Sequence, residues 1–182
     1  MRKQFCYRIV FLFSLLAVLT ACKQKQEKQS QRVTPQMLLE MNKKMVGAES
    51  EIIDKYIVDN HLEMQTSPTG LRYNIIKATN GPLIKDGDAV SLKYTTSLLD
   101  STVCYSSDKN GLMNFVVGKA QVEAGLEEAI VLFSKGAKAT LILPPYLAHG
   151  IAGDGNKIPK LAIIIMDIEV MDVQSASDVE TN

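Results

Sequence analysis

The chain has 182 residues and sets 20 Lys and Arg against 20 Asp and Glu, a balance that excludes the basic surplus of a nucleic-acid-binding surface. That length accommodates one ordinary domain with extensions. Its two histidines, His61 and His149, have no cysteine or carboxylate pair at ligand spacing, so neither a metal site nor any other cofactor is expected.

Residues 1–21 read as an export signal. Arg2, Lys3 and Arg8 precede an apolar stretch, residues 9–19, broken only by Ser14. The stretch is too short to cross a bilayer, which takes about 20 apolar residues, and it fits a signal core. It ends in Leu19-Thr20-Ala21-Cys22, which resembles the lipobox of bacterial lipoproteins. An ordinary secretory signal is the competing reading, but it does not call for a cysteine directly after the small residues. The resemblance implies lipid on Cys22, a membrane partner through that lipid, and residence in the bacterial cell envelope on the periplasmic side. Cys6 then leaves with the signal and Cys104 remains as a lone thiol, so no intramolecular disulfide is expected.

Residues 22–33 are polar after Cys22 except at Val33 and read as a tether. Extended, about ten residues reach roughly 35 Å. Thr34-Pro35 is a helix start, a capping hydroxyl followed by proline at the first helical position. Met37, Leu38, Met41 and Met45 then recur at helical spacing, and Ile52, Ile53, Tyr56 and Ile57 form a second stripe beyond Gly47. The helical segment, residues 34–65, is expected as two short helices or one kinked helix.

From residue 66 the period becomes that of strands. Leu71, Tyr73 and Ile75 alternate with Arg72 and Asn74, the pattern of a half-buried strand. Asn80-Gly81 and Asp86-Gly87-Asp88 are turn signals. A long strand follows over residues 89–99, then a turn at Asn110-Gly111 and a run at Phe115-Val116-Val117-Gly118. One amphipathic helix is predicted over residues 122–133, and strands over 137–143 and 161–170. Pro144-Pro145 and a glycine-rich loop (Gly150, Gly153, Gly155) lie between those strands. Many strands, one helix and long loops give an α+β domain over residues 66–173 with an antiparallel sheet. Residues 174–182 are expected as a disordered tail.

Several segments in this order resemble the FKBP-type peptidyl-prolyl cis–trans isomerases. They are Val90-Ser91-Leu92-Lys93-Tyr94-Thr95, Ser106-Ser107, Phe115-Val116-Val117-Gly118-Lys119, Val122-Glu123-Ala124-Gly125-Leu126-Glu127-Glu128-Ala129 and Lys135-Gly136-Ala137-Lys138-Ala139. Pro144-Pro145-Tyr146-Leu147-Ala148-His149-Gly150, Ile158-Pro159 and Met166-Asp167-Ile168-Glu169-Val170 complete the set. The layout of signal cysteine, helical segment and terminal domain is similar to that of gliding-motility-associated isomerase lipoproteins. The resemblance implies a twisted antiparallel sheet wrapped around one helix, with an apolar pocket for proline-containing segments between them.

Carried over residue by residue, the resemblance makes Tyr94 one wall of that pocket. Other positions depart from the family's pattern. Cys104-Tyr105 replaces a Phe-Asp pair, Leu126 replaces a tryptophan floor, and His149 replaces the tyrosine that hydrogen-bonds the substrate carbonyl. Met166 and Met113 stand at aromatic positions, and Glu123 replaces an aliphatic residue whose backbone N–H contacts ligand. Val122 and Ile158 keep the family's residue types. Tyr94, Tyr105, Leu126, His149 and Met166 are thus the expected catalytic residues, with Cys104, Met113, Val122, Glu123 and Ile158 contacting substrate. The acidic pair Glu127-Glu128 is read as complementing the helix dipole.

The resemblance implies a prolyl isomerase of modest activity that assists folding of envelope proteins. The alternative is a non-catalytic binding or chaperone module for proline-containing segments, serving a motility or export machine. Loss of the aromatic floor favours the second, and retained Tyr94 and Ile158 favour the first. Clients and oligomeric state are not legible in the sequence.

Overall fold

The structure, a computed structural model, describes residues 33–176. The signal 1–21, Cys22 and most of the tether lie outside the described residues, as does the tail beyond Ala176. The chain separates into two units, residues 1–39 and 40–182.

Thr34 starts helix α1 (Pro35–Asp59) as its residue type predicts. Its hydroxyl accepts the Met37 N–H at 3.2 Å. Contrary to the expected break, α1 runs unbroken through Gly47, whose exposed position has open space around it. The cost of an interior glycine, about 1 kcal/mol, is not enough to end a helix anchored further along. Met37 and Met41 stay exposed, whereas Ile53 is wholly buried. Among the described residues no helix is long and apolar enough to cross a membrane.

The strands are β1 (Gln65–Thr66), β2 (Arg72–Lys77), β3 (Ala89–Leu98), β4 (Val103–Ser106), β5 (Met113–Val116), β6 (Lys138–Leu143) and β7 (Ile164–Gln174). They form one antiparallel sheet in the order β1-β2-β6-β7-β3-β4, with β5 also paired to β3. β3 is the spine of the sheet. One side pairs with β7 along its whole length, while the other meets β5 at residues 89–92 and β4 at residues 95–97. β7 begins at Ile164, later than the expected residue 161, and runs to Gln174. The Ala176 N–H donates to Asp88 Oδ1 at 3.3 Å, so the ordered chain extends past the expected boundary at 173.

Helix α3 (Ala124–Ile130) packs on the inner face, and the four-residue α2 (Ser107–Asn110) follows β4. α3 is shorter than the predicted 122–133. Glu123 stands at its N-cap position, where its backbone carbonyl accepts the Leu126 and Glu127 N–H groups. The last turn of the helix tightens through the bonds Leu132 N–H to Ala129 O and Phe133 N–H to Ile130 O. Gly125 lets α3 approach β6 closely, because a Cβ there would sit 2.8 Å from Leu143 Cδ2. The main core joins Leu126, Ala129, Ile130 and Phe133 to Leu92, Leu141, Leu143, Ile164 and Met166.

The opposite face of β6 and β7 is also apolar. Ile142 and Ile165 face one another across the ladder, and with Ile163 they receive Ile53 of α1. Arg72, beside Ile142 on this face, reaches Asp54 Oδ1 at 2.8 Å and Ser50 Oγ at 2.6 Å. Residues 40–59 of α1 thus belong to the same packed unit as the sheet.

Candidate functional site

Three segments converge at one end of α3. β5 lies against β3 with Met113 opposite Leu92 and Asn114 opposite Ser91. The turn from β5 into α3 carries Gln121, Val122 and Glu123. After β6, Pro144 leads into a 3-10 helix (Pro145–Leu147) and then to Ala148 and His149. Together they line an open hollow of about 340 Å³.

Its apolar lining comes from Met113, Val122 and Ala148. Its polar lining is held in place. Gln121 Oε1 accepts the Val116 N–H at 2.9 Å, and Asn114 Oδ1 pairs with the Ser91 hydroxyl at 2.6 Å. The turn itself is pinned to α3, since Gly118, at φ +79°, donates its N–H to Glu127 Oε2 at 2.7 Å. Glu128 accepts from the Thr69 hydroxyl at 2.6 Å. The acidic pair on α3 therefore fastens neighbouring loops, which the helix-dipole reading alone did not anticipate.

Two of the sequence's departures face one another here. His149 Nε2 lies 3.2 Å from Glu123 Oε1, with the side chains 28% and 13% exposed. The ring is not aligned for a hydrogen bond, so Nε2 is left without a partner of that kind.

Tyr94 is half-buried and packs on the core beside these elements. Its backbone is bracketed by one side chain: the Tyr94 N–H donates to Ser107 Oγ at 2.5 Å, and the Ser107 hydroxyl donates to Tyr94 O at 3.1 Å. Burial pushes the Tyr94 hydroxyl above its ordinary pKa, and the negative charge of Glu123 adds to the shift.

Of the predicted site residues, Met113, Val122, Glu123 and His149 line the hollow. Leu126 and Met166 do not: both are 0% exposed and packed in the core. They were expected as floor and wall of the pocket, and they stand beneath it in the core cluster that carries α3 and β7. Cys104 and Ile158 are likewise buried.

Tyr105, expected among the catalytic residues, is not in the lining of the hollow and is engaged with the glycine-rich loop. Its hydroxyl bonds Asp154 in the glycine-rich loop, its ring lies under Lys157 Nζ at 4.9 Å, and Lys157 Nζ donates to Cys104 O at 2.9 Å. Asp154 Oδ1 also accepts the N–H groups of Asn156 and Ile158, each at 2.8 Å. β4 and the loop are thereby latched together. The Tyr105 hydroxyl, with help from those backbone donors, holds the Asp154 carboxyl far below the usual carboxylate range. Burial, with some help from Asp154, raises the Cys104 thiol, which keeps it in the unreactive neutral form.

Asn114, Gln121, Ala148 and Asp154 were not singled out from sequence. Gly153-Asp154-Gly155 was legible as a turn, but nothing local names Tyr105 as the partner of its carboxylate.

Residues 81–171 match the family model described as FKBP-type peptidyl-prolyl cis-trans isomerase. Over 117 residues the chain is 35% identical to the probable FKBP-type peptidyl-prolyl cis-trans isomerase of Haemophilus influenzae, covering 64% of this chain and 48% of that protein. It is 37% identical over 112 residues to FK506-binding protein 2 of Candida glabrata, covering 57% of this chain and 81% of that one. The crystal structure of AtFKBP13 is similar with a TM-score of 0.59 at 28% identity, covering 62% of this chain and 99% of that one. The chain thus spans about half the length of the Haemophilus relative.

Proposed function

We infer that the hollow beside α3 binds and isomerises prolyl peptide bonds, since the chain belongs to the FKBP-type peptidyl-prolyl cis–trans isomerase family. The observation that carries this reading is the apolar lining of Met113, Val122 and Ala148 set next to His149, with Tyr94 near enough to feel the charge of Glu123. An X-Pro bond rotates slowly because the amide loses resonance when twisted, at a barrier of about 18–20 kcal/mol. The twisted amide is less dipolar than the planar one. A water-poor apolar surface therefore destabilises the ground state relative to the transition state. His149 supplies a donor for the substrate carbonyl, and Tyr94 excludes water. The step requires no nucleophile.

In its setting, the chain is a lipid-anchored envelope protein that assists folding of exported polypeptides. Leu19-Thr20-Ala21-Cys22 supports that assignment. Uncatalysed isomerisation takes about 10–100 s at 25 °C, slow enough to limit such folding. A Cys22→Ser protein should appear in the soluble envelope fraction. Sedimentation with membranes after a high-salt wash would remove the lipid anchor from the proposal.

The enzyme reading is tested by exchange spectroscopy on an Ala-Leu-Pro-Phe peptide with purified full chain. Acceleration over buffer is expected. One observation favours the binding module instead: Leu126 and Met166 are wholly buried and are not among the residues that line the hollow. Peptide binding with an unaccelerated rate would select that second reading.

A further inference from the structure

We propose that Glu123 makes the hollow selective for prolyl segments carrying a cationic side chain next to the proline, and that His149 is the partner which the incoming cation displaces. The proposal rests on the prolyl-binding reading of this hollow and names its substrate class.

Four observations carry it. Glu123 sits at the start of α3 with its side chain only 13% exposed, so its carboxylate is part of the lining and not a solvated surface charge. Among the described residues it is paired with His149 Nε2, at 3.2 Å and out of line for a hydrogen bond. The hollow's lining holds no lysine or arginine; its other polar members, Asn114 and Gln121, are amides already engaged with Ser91 and Val116. The carboxylate's field is also felt across the site, since it contributes to the raised pKa of the Tyr94 hydroxyl.

A proline seated on Met113 and Val122 would put its neighbour's Cα about 3.8 Å from its own. A lysine or arginine stem from there is long enough to follow the lining to Glu123. An ammonium or guanidinium can make with the carboxylate the charge-assisted bond that His149 does not. A substrate carboxylate at the same place meets like charge in a partly desolvated site, which is costly. Selection therefore has an attractive and a repulsive component, the combination that gives discrimination.

The test uses three peptides, Ala-Xaa-Pro-Phe with Xaa Lys, Leu or Glu. With the full chain, both kcat/KM by exchange spectroscopy and Kd by chemical-shift titration are measured. The wild type should favour the Lys peptide over the Glu peptide by roughly tenfold or more, the scale of one hydrogen bond to a charged group. Glu123→Gln should bring that ratio to within about twofold, while Glu123→Asp should keep most of it. An equal ratio in the wild type and Glu123→Gln, or its loss in both variants with the fold intact, overturns the proposal. If no peptide is accelerated, the isomerase reading falls and Kd decides. A Lys-over-Glu preference in Kd that depends on Glu123 upholds the charge selection, and equal Kd values overturn it.

Discussion

The Arg72 guanidinium meets the Asp54 carboxylate at 2.8 Å, although Asp54 lies on α1 and Arg72 on the sheet. Arg72 is 5% exposed and also donates to Ser50 Oγ and Gly70 O, each at 2.6 Å. Beside it Ile53 is buried on Ile142, Ile163 and Ile165. A sheet domain cut at residue 66 would leave these isoleucines in water and the guanidinium without its partners on α1. Such a fragment should be less stable than a chain that keeps residues 40–65. In the full chain, Ile53→Ala should cost about 2–4 kcal/mol by urea unfolding. An unchanged midpoint in both experiments would show that α1 adds nothing to the core.

Gly47 and Gly125 predict opposite signs for the same substitution. Gly47 is exposed in mid-helix with nothing within 4 Å of an added Cβ, so Gly47→Ala should stabilise by up to about 1 kcal/mol. At Gly125 the added methyl meets Leu143 at 2.8 Å and Leu147 Cβ at 3.2 Å. It should force α3 away from β6 at a cost of about 1–3 kcal/mol. Thermal unfolding of the two variants checks both.

The Tyr105–Asp154 latch makes stability depend on pH. The folded pKa of Asp154 is depressed, so its contribution is present above the unfolded value of about 3.9. It is lost as pH falls from there through the folded value. Wild type should therefore exceed Asp154→Asn in stability near neutrality, and the gap should close in acid. Tyr105→Phe should remove most of the same gap, with the two changes together costing less than their sum. A gap that persists undiminished in strong acid would assign it to something other than the carboxylate's charge.

Rates should follow water exclusion more than hydrogen bonding. His149→Ala should cost the prolyl isomerase rate at most about tenfold, the scale of one hydrogen bond. Tyr94→Ala should cost more, because it opens the core beside the hollow. Leu126→Trp should show first as a loss of stability of about 1–3 kcal/mol, since Leu126 is wholly buried in the core. Exchange spectroscopy alongside denaturant unfolding separates these effects.

The frame of the domain was legible in sequence because strand alternation and turn residues act locally. Leu71, Tyr73 and Ile75 do face the core, and β3 runs at Ala89–Leu98 where the sequence placed a strand over 89–99. The continuous run Ile163-Ile164-Ile165-Met166 carried a message that alternation could not: both faces of β7 are covered. Reading it that way would have placed α1 on the outer face. The site was legible only in part. Residue types at Met113, Val122, Glu123 and His149 pointed to it, but the meeting of Glu123 with His149 depends on two loops more than twenty residues apart. The bond of Tyr105 to Asp154 was hidden for the same reason, its partner being in a distant loop.

The hydroxyl of Ser107 takes the place of a ladder partner for Tyr94, just past the last β3–β4 pair at Thr95 and Ser106. Amide exchange at Tyr94 should therefore report on a side chain. Ser107→Ala would strip protection from that one N–H while Thr95 and Thr96 keep theirs through β4 and β7. The tyrosine beside the hollow would then hang from a strand with a dropped stitch, and its ring would gain freedom without any change to the residues it touches.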